Sequence, residues 1–113
     1  MKIAVTTETK DLNAPLDPRF GRAKGFFVHD TESGEDQYID NAQNLSLPQG
    51  AGIQSAMNVA NTGAKAVITG HVGPKAFMAL DKGGIAVYLT SGMTVQEALK
   101  AFEANPDNFD LVI

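Results

Sequence analysis

Short apolar runs rich in β-branched residues alternate along this chain with stretches whose apolar residues are spaced for a helix. Lys2–Thr7, KIAVTT, is such a run and predicts a buried strand. A long loop follows, from about Glu8 to Ala23, with two prolines. Gly25–Asp30, GFFVHD, predicts a second strand and Asp36–Asn41 a third. Glu32-Ser33-Gly34-Glu35 between them is turn-forming, so the pair should make an antiparallel hairpin.

After the loop 42–50 the spacing becomes helical. Ile53, Ala56, Met57 and Ala60 fall at i, i+3, i+4 and i+7, which predicts a helix burying that stripe and stopping at Gly63. Ala66–Thr69 predicts a fourth strand. Pro74 at a first helical position opens a second helix, PKAFMALDKG, with Ala76, Phe77 and Leu80 inward and Gly83 at its end. Ile85–Leu89 is a fifth strand. Thr94-Val95-Gln96-Glu97 has the form of a capping box, opening a third helix that buries Ala98, Leu99 and Phe102 and stops at Asn105-Pro106. The tail Phe109–Ile113 is too apolar to float free and should pack back on the domain. The succession predicts an α/β fold: a mixed five-stranded sheet, order 3-2-1-4-5, strand 2 antiparallel to the rest, covered by three helices.

Length and charge narrow the function. The 113 residues fit one domain, 1–113, long enough to bury a core without metal or disulfide staples. A net charge of −4 and a pI near 4.9 exclude a general nucleic-acid binder, which would show a basic stripe. A small anion stays allowed, because a local cluster of positive groups can oppose the overall sign. With no cysteine there is no disulfide, thiolate metal site or cysteine nucleophile. MKIAVTTE runs into a polar stretch, so neither a signal peptide nor a membrane span is expected, and the expected compartment is cytoplasmic.

Topology gathers the unusual residues. With strands 1, 4 and 5 parallel, the loops leaving their C-terminal ends share one edge, where open α/β sheets bind ligands. Those loops contain Asp17-Pro18-Arg19-Phe20-Gly21-Arg22, Gly70-His71-Val72-Gly73 and Thr90-Ser91-Gly92-Met93. All three helices are expected to start there, presenting free N–H groups and the positive dipole end to an anion. Arg19 and Arg22, the only arginines, would add planar multi-donor charges. Each feature has a second reading: the arginines can pair with an acid such as Asp17, and His71 can be a loop residue satisfied by backbone. Met57 and Met78 read as core packing. Met93 reads as a loop residue or a soft neighbour for copper.

Three stretches, RFGRAKGFFVHD (19–30), GAGIQSAMNVANTGAKAVITG (50–70) and HVGPKAFMALDKGGIAVY (71–88), resemble in content and order the dinitrogenase iron–molybdenum cofactor biosynthesis family. The resemblance implies a single ribonuclease-H-like domain. It also implies non-catalytic binding, storage or transfer of a metal–sulfide cluster, with a protein donor or recipient; no membrane partner is expected, from the residues themselves. The combination of DPRFGR, GHVGPKAF and no cysteine is most similar to the branch that holds a molybdenum–copper sulfide cluster without covalent attachment. The alternative cargo is the iron–molybdenum cofactor or its precursor. The residues implicated are Arg19, Phe20, Gly21, Arg22, Gly70, His71, Val72, Gly73, Ser91, Gly92 and Met93. Many relatives have histidine where Arg19 stands, so an electrostatic role replaces a ligand there. The chain is expected as a monomer, with a cluster-dependent dimer as the alternative.

Two rival classes bound this reading. A nuclease would need converging carboxylates, and neither Ile3-Ala4-Val5 nor Ala66–Thr69 supplies one. No phosphate-loop motif and no Ser/His/acid set is present either, so an enzyme is not expected. The other rival is a regulatory or partner-binding module that senses a small oxyanion such as molybdate or phosphate.

Overall fold

A computed structural model describes all 113 residues. Six strands form one sheet: β1 (Lys2–Thr7), β2 (Gly25–Asp30), β3 (Asp36–Asp40), β4 (Ala64–Thr69), β5 (Ala86–Leu89) and β6 (Asp110–Leu111). Their order is β3-β2-β1-β4-β5-β6. β1, β4 and β5 run parallel, while β2 is antiparallel to both β1 and β3. The expected five-stranded order therefore lacks its last member. Phe109 buries beside Phe102, ring centroids 5.8 Å apart, and returns the chain alongside β5. Asp110 and Leu111 then pair antiparallel with Leu89 and Tyr88. Two paired residues are too few to show an alternation in the sequence.

The three helices are α1 (Ala51–Asn61), α2 (Pro74–Lys82) and α3 (Val95–Ala104). They cover both faces of the sheet, which is why its central strands are continuous apolar runs. Ala4, Val67 and Val87 point toward α1 and α2, meeting Ala56, Val59, Ala76 and Leu80. Ile3, Val5, Ala66 and Ile68 point the other way, onto Val95, Ala98, Leu99 and Phe102 of α3. No helix is long and apolar enough to cross a membrane.

α1 buries a different face from the one its spacing predicts. Ala51, Ser55, Ala56 and Val59 lie inside, whereas Ile53 is 37% and Met57 52% exposed, and Ala60 is exposed too. Close approach explains the rotation: a Cβ on Gly52 would stand 3.0 Å from the Cβ of Ala76 in α2. Helices this near each other accept small residues at the seam, so the bulky ones turn outward. α2 likewise buries Ala76 and Leu80, leaves Phe77 half-buried, and exposes Met78 at 60%. Neither Met57 nor Met78 is a core residue.

Ser55 is tolerated inside because Asn41 satisfies it. The Asn41 amide donates to the Ala23 carbonyl at 2.9 Å and to the Ser55 hydroxyl at 3.0 Å. Its oxygen accepts from Asn44 at 2.7 Å and Asn58 at 2.8 Å. All four amide positions are used, so a fully buried polar group carries no desolvation penalty for a missing partner.

The capping box of α3 forms as its sequence predicts. The Glu97 N–H donates to Thr94 Oγ1 at 3.0 Å, and the Thr94 N–H donates to Glu97 Oε1 at 2.9 Å. The hydrogen bond from the Thr94 backbone, more than that from its side chain, lowers the Glu97 pKa below the ordinary carboxylate range. A depressed carboxylate contributes stability above its unfolded pKa and loses it as pH falls through the folded one. Thr94→Ala should cost about 1 kcal/mol in urea unfolding at neutral pH. The stability difference between wild type and Glu97→Gln should shrink in acid; a difference that persists or grows there would contradict the cap.

Candidate functional site

The C-terminal ends of β1, β4 and β5 share one edge of the sheet, and the chain leaving β1 folds back across it. The Asp17 N–H donates to the Thr6 carbonyl at 2.9 Å, which holds the loop to β1. The Leu16 N–H donates to the Met93 carbonyl, and the Val95 N–H to the Ala14 carbonyl, both at 3.0 Å. These bonds tie the loop to the start of α3. Further along, the Phe20 N–H donates to the His71 carbonyl at 3.1 Å, and Arg19 forms a parallel bridge with His71. The Thr6 hydroxyl donates to the Asp17 carbonyl beneath this strap, and the Thr6 and Thr69 hydroxyls lie 2.9 Å apart.

Phe20 opens a tight helical turn, Phe20–Arg22, and buries its ring in the core, 5.6 Å from Phe26. Burying such a ring stabilises by about 2 kcal/mol, enough to fix the turn against the sheet. It is therefore an anchor and presents no side chain at the edge. Two close backbone approaches complete the packing. A Cβ on Gly70 would lie 2.7 Å from the Pro18 Cα, and one on Gly21 would lie 3.0 Å from the Gly52 Cα at the start of α1.

The two arginines have different surroundings. Asp17, 1% exposed, accepts the Arg19 N–H at 2.9 Å and Nε at 3.3 Å. That hydrogen bond, then the charge of Asp17, raises the Arg19 pKa and keeps the guanidinium firmly protonated. Arg19 Nη2 also lies 3.4 Å from Glu8 Oε1, and both side chains are more than half exposed. Arg22 instead donates through Nη1 to the carbonyls of Leu45 and Leu47, at 3.2 and 3.1 Å. It braces the 42–50 loop.

Of the other residues singled out from sequence, Gly70, His71, Val72 and Gly73 form the segment that opens α2. His71 is exposed and Val72 packs against the core. Ser91 and Gly92 are exposed on the β5–α3 loop, and the Met93 sulfur lies 3.8 Å from the Thr90 hydroxyl. Sequence reading missed Glu8 as a partner of Arg19, and the Gly21–Gly52 contact. The Asp17–Arg19 turn was signalled by DPR itself, an acid two residues ahead of the arginine N–H it accepts. No group of three or more histidine, aspartate and glutamate side chains is placed to hold a metal ion. His29 lies apart, its Nδ1 2.8 Å from Asp36 and its Nε2 2.6 Å from Glu103, joining the hairpin to α3.

A family model described as dinitrogenase iron-molybdenum cofactor matches residues 1–105. The chain belongs to the dinitrogenase iron-molybdenum cofactor family. This is the family its motifs resemble. The chain is 34% identical over 105 residues to an uncharacterized protein of Methanocaldococcus jannaschii, covering 90% of this chain and 85% of that one. Among solved structures it is similar to the apo form of the orange protein from Desulfovibrio gigas. The TM-score is 0.92 at 42% identity, over 98% of this chain and 92% of that one. It is also similar to a candidate NifB protein from Thermotoga, with a TM-score of 0.82 at 34% identity over 92% and 88% of the two chains.

The Gly70 contact gives a direct test of the strap. Gly70→Ala should force Pro18 away and cost about 1–3 kcal/mol. Its amide shifts should spread through residues 16–22. A substitution silent in both respects would show that the loop does not lie against β4.

Proposed function

We propose that this family member binds, stores or hands on a metal–sulfide cluster in the cytoplasm, without catalysing a reaction. The cluster would sit at the edge bounded by Arg19, Gly21, His71, Gly73, Ser91 and Gly92. The observation that carries this reading is the Arg19–His71 bridge, which sets the Arg19 backbone beside the loop opening α2, while Asp17 holds its guanidinium charged. The helix start adds free N–H groups and a positive dipole end, both suited to a polyanion.

The donor set fits a cluster that brings its own ligands. The sequence supplies no thiolate, so a bound cluster must have its metals satisfied by sulfide. The protein then contributes N–H donors from backbone, guanidinium and imidazole toward those sulfides. A molybdenum–copper sulfide cluster is the cargo favoured by DPRFGR and GHVGPKAF, and by 42% identity to the orange protein. The iron–molybdenum cofactor or its precursor is the alternative, favoured by the family description. A donor or recipient protein would complete the transfer.

Charge sets a condition on this site. Asp17 is buried and stays with Arg19, whereas Glu8 is exposed and can be displaced by a more highly charged anion. The Glu8 contact also favours a second reading, in which the edge senses an oxyanion, since a carboxylate already occupies the guanidinium.

Adding tetrathiomolybdate and copper to the colourless protein should give a visible absorbance that co-elutes on desalting. Amide shifts should concentrate in residues 18–24, 70–74 and 91–94. Arg19→Ala should lose most of the retained colour and make the remainder salt-sensitive, with the fold unchanged. Protein that emerges colourless while molybdate alone shifts the same amides would replace the carrier by the oxyanion sensor.

A further inference from the structure

α1 contains no charged residue, and three of its exposed residues are apolar, beside the polar Gln54 and Asn61. Ile53, Met57 and Ala60 stand at i, i+4 and i+7, all exposed, forming one stripe down the outside of the helix. Met78 and Ala79 of α2 adjoin it. Ile53, Met78 and Ala79 line a depression together with Lys75 and Lys82, and Ile53 also lines a neighbouring depression shared with Leu47. The two hollows share Ile53 as a common wall.

We propose that this groove docks an acidic amphipathic helix of a partner protein. Charge chooses the occupant. The chain carries 13 acidic residues against 9 basic ones, yet no acid lines either hollow. Its only charged groups are Lys75 and Lys82, placed two turns apart on α2 so that they bracket Met78 and Ala79. A helix with apolar anchors at i, i+4 and i+7, flanked by Glu or Asp, matches both the stripe and the lysines. Its length is set by α1, whose 11 residues span roughly 16 Å, about three turns. Flexible methionine side chains re-pack around varied anchors, as at other helix-binding surfaces.

A second copy of this chain fits less well. A two-fold contact through the same face would bring four lysines and no acid lining these hollows into one interface, leaving their charges without partners. An anionic bilayer is disfavoured by the net charge of −4. The proposal concerns a face other than the strapped edge and stands whether or not the chain holds a cluster.

The test uses the whole chain and a synthetic helical peptide with leucines at i, i+4 and i+7 and glutamates on the flanks. A control peptide has lysines in place of the glutamates. The acidic peptide should bind and shift amides near residues 47, 53–60 and 75–82, with affinity about tenfold or more above the control. Lys75→Glu with Lys82→Glu should invert that preference. Met57→Gln with Met78→Gln, both exposed and so compatible with folding, should weaken acidic-peptide binding by about tenfold. The proposal is overturned if neither peptide binds, or if both bind equally. It is also overturned if sedimentation shows self-association through this face, or if phosphatidylserine vesicles bind in a lysine-dependent way while the acidic peptide does not.

Discussion

Backbone hydrogen bonding between one loop and two others is the constraint on which the rest of this structure depends. Three parallel strands end together, and without a crossing segment their C-terminal ends would be three independent loops. The residues from Ala14 to Phe20 cross all three, bonded to β1 at Thr6, to the α3 entrance at Met93 and Val95, and to the α2 entrance at His71. The buried ring of Phe20 keeps that strap from lifting. A rim built this way is positioned by main chain, so its geometry does not depend on the rotamers of the exposed residues.

The strap also explains how a buried acid and an exposed arginine coexist in DPRFGR. Asp17 is held by the Arg19 backbone N–H as well as by its guanidinium, so its charge is satisfied twice within three residues. Because the acid is fixed by main chain, the guanidinium keeps one side tied and its far side free, apart from Glu8. Arg22 instead places one guanidinium nitrogen on two carbonyls of the following loop. Three residues apart and identical in chemistry, the two arginines take different partners, one a buried carboxylate and the other two carbonyls.

What could be read from sequence follows from how local each determinant is. The α3 cap lies within four residues and was legible in full. So was the hairpin, and so was the gathering of the three loops, because parallel strands joined by helices leave their C-terminal ends on one edge. The burial of α1 was not legible. Periodicity shows that a stripe exists but not which way it faces, and here the seam with Ala76 selects Gly52 and Ala56 over Ile53 and Met57. The fate of Arg22 was hidden for a similar reason, since the Leu45 and Leu47 carbonyls are brought to it only by the tertiary fold. β6 left no trace beyond the apolarity of the tail.

The contact between Gly21 and Gly52 has a consequence for how this molecule tolerates change. Where two main chains meet with no side chain between them, nothing soft is available to absorb a displacement. The junction acts as a hard stop: the tight turn cannot slide toward the first helix, and any added carbon pries the two apart. A side chain at this spot must therefore be absorbed by backbone movement of a few tenths of an ångström, whereas exposed residues such as Ser91 and His71 meet no such limit.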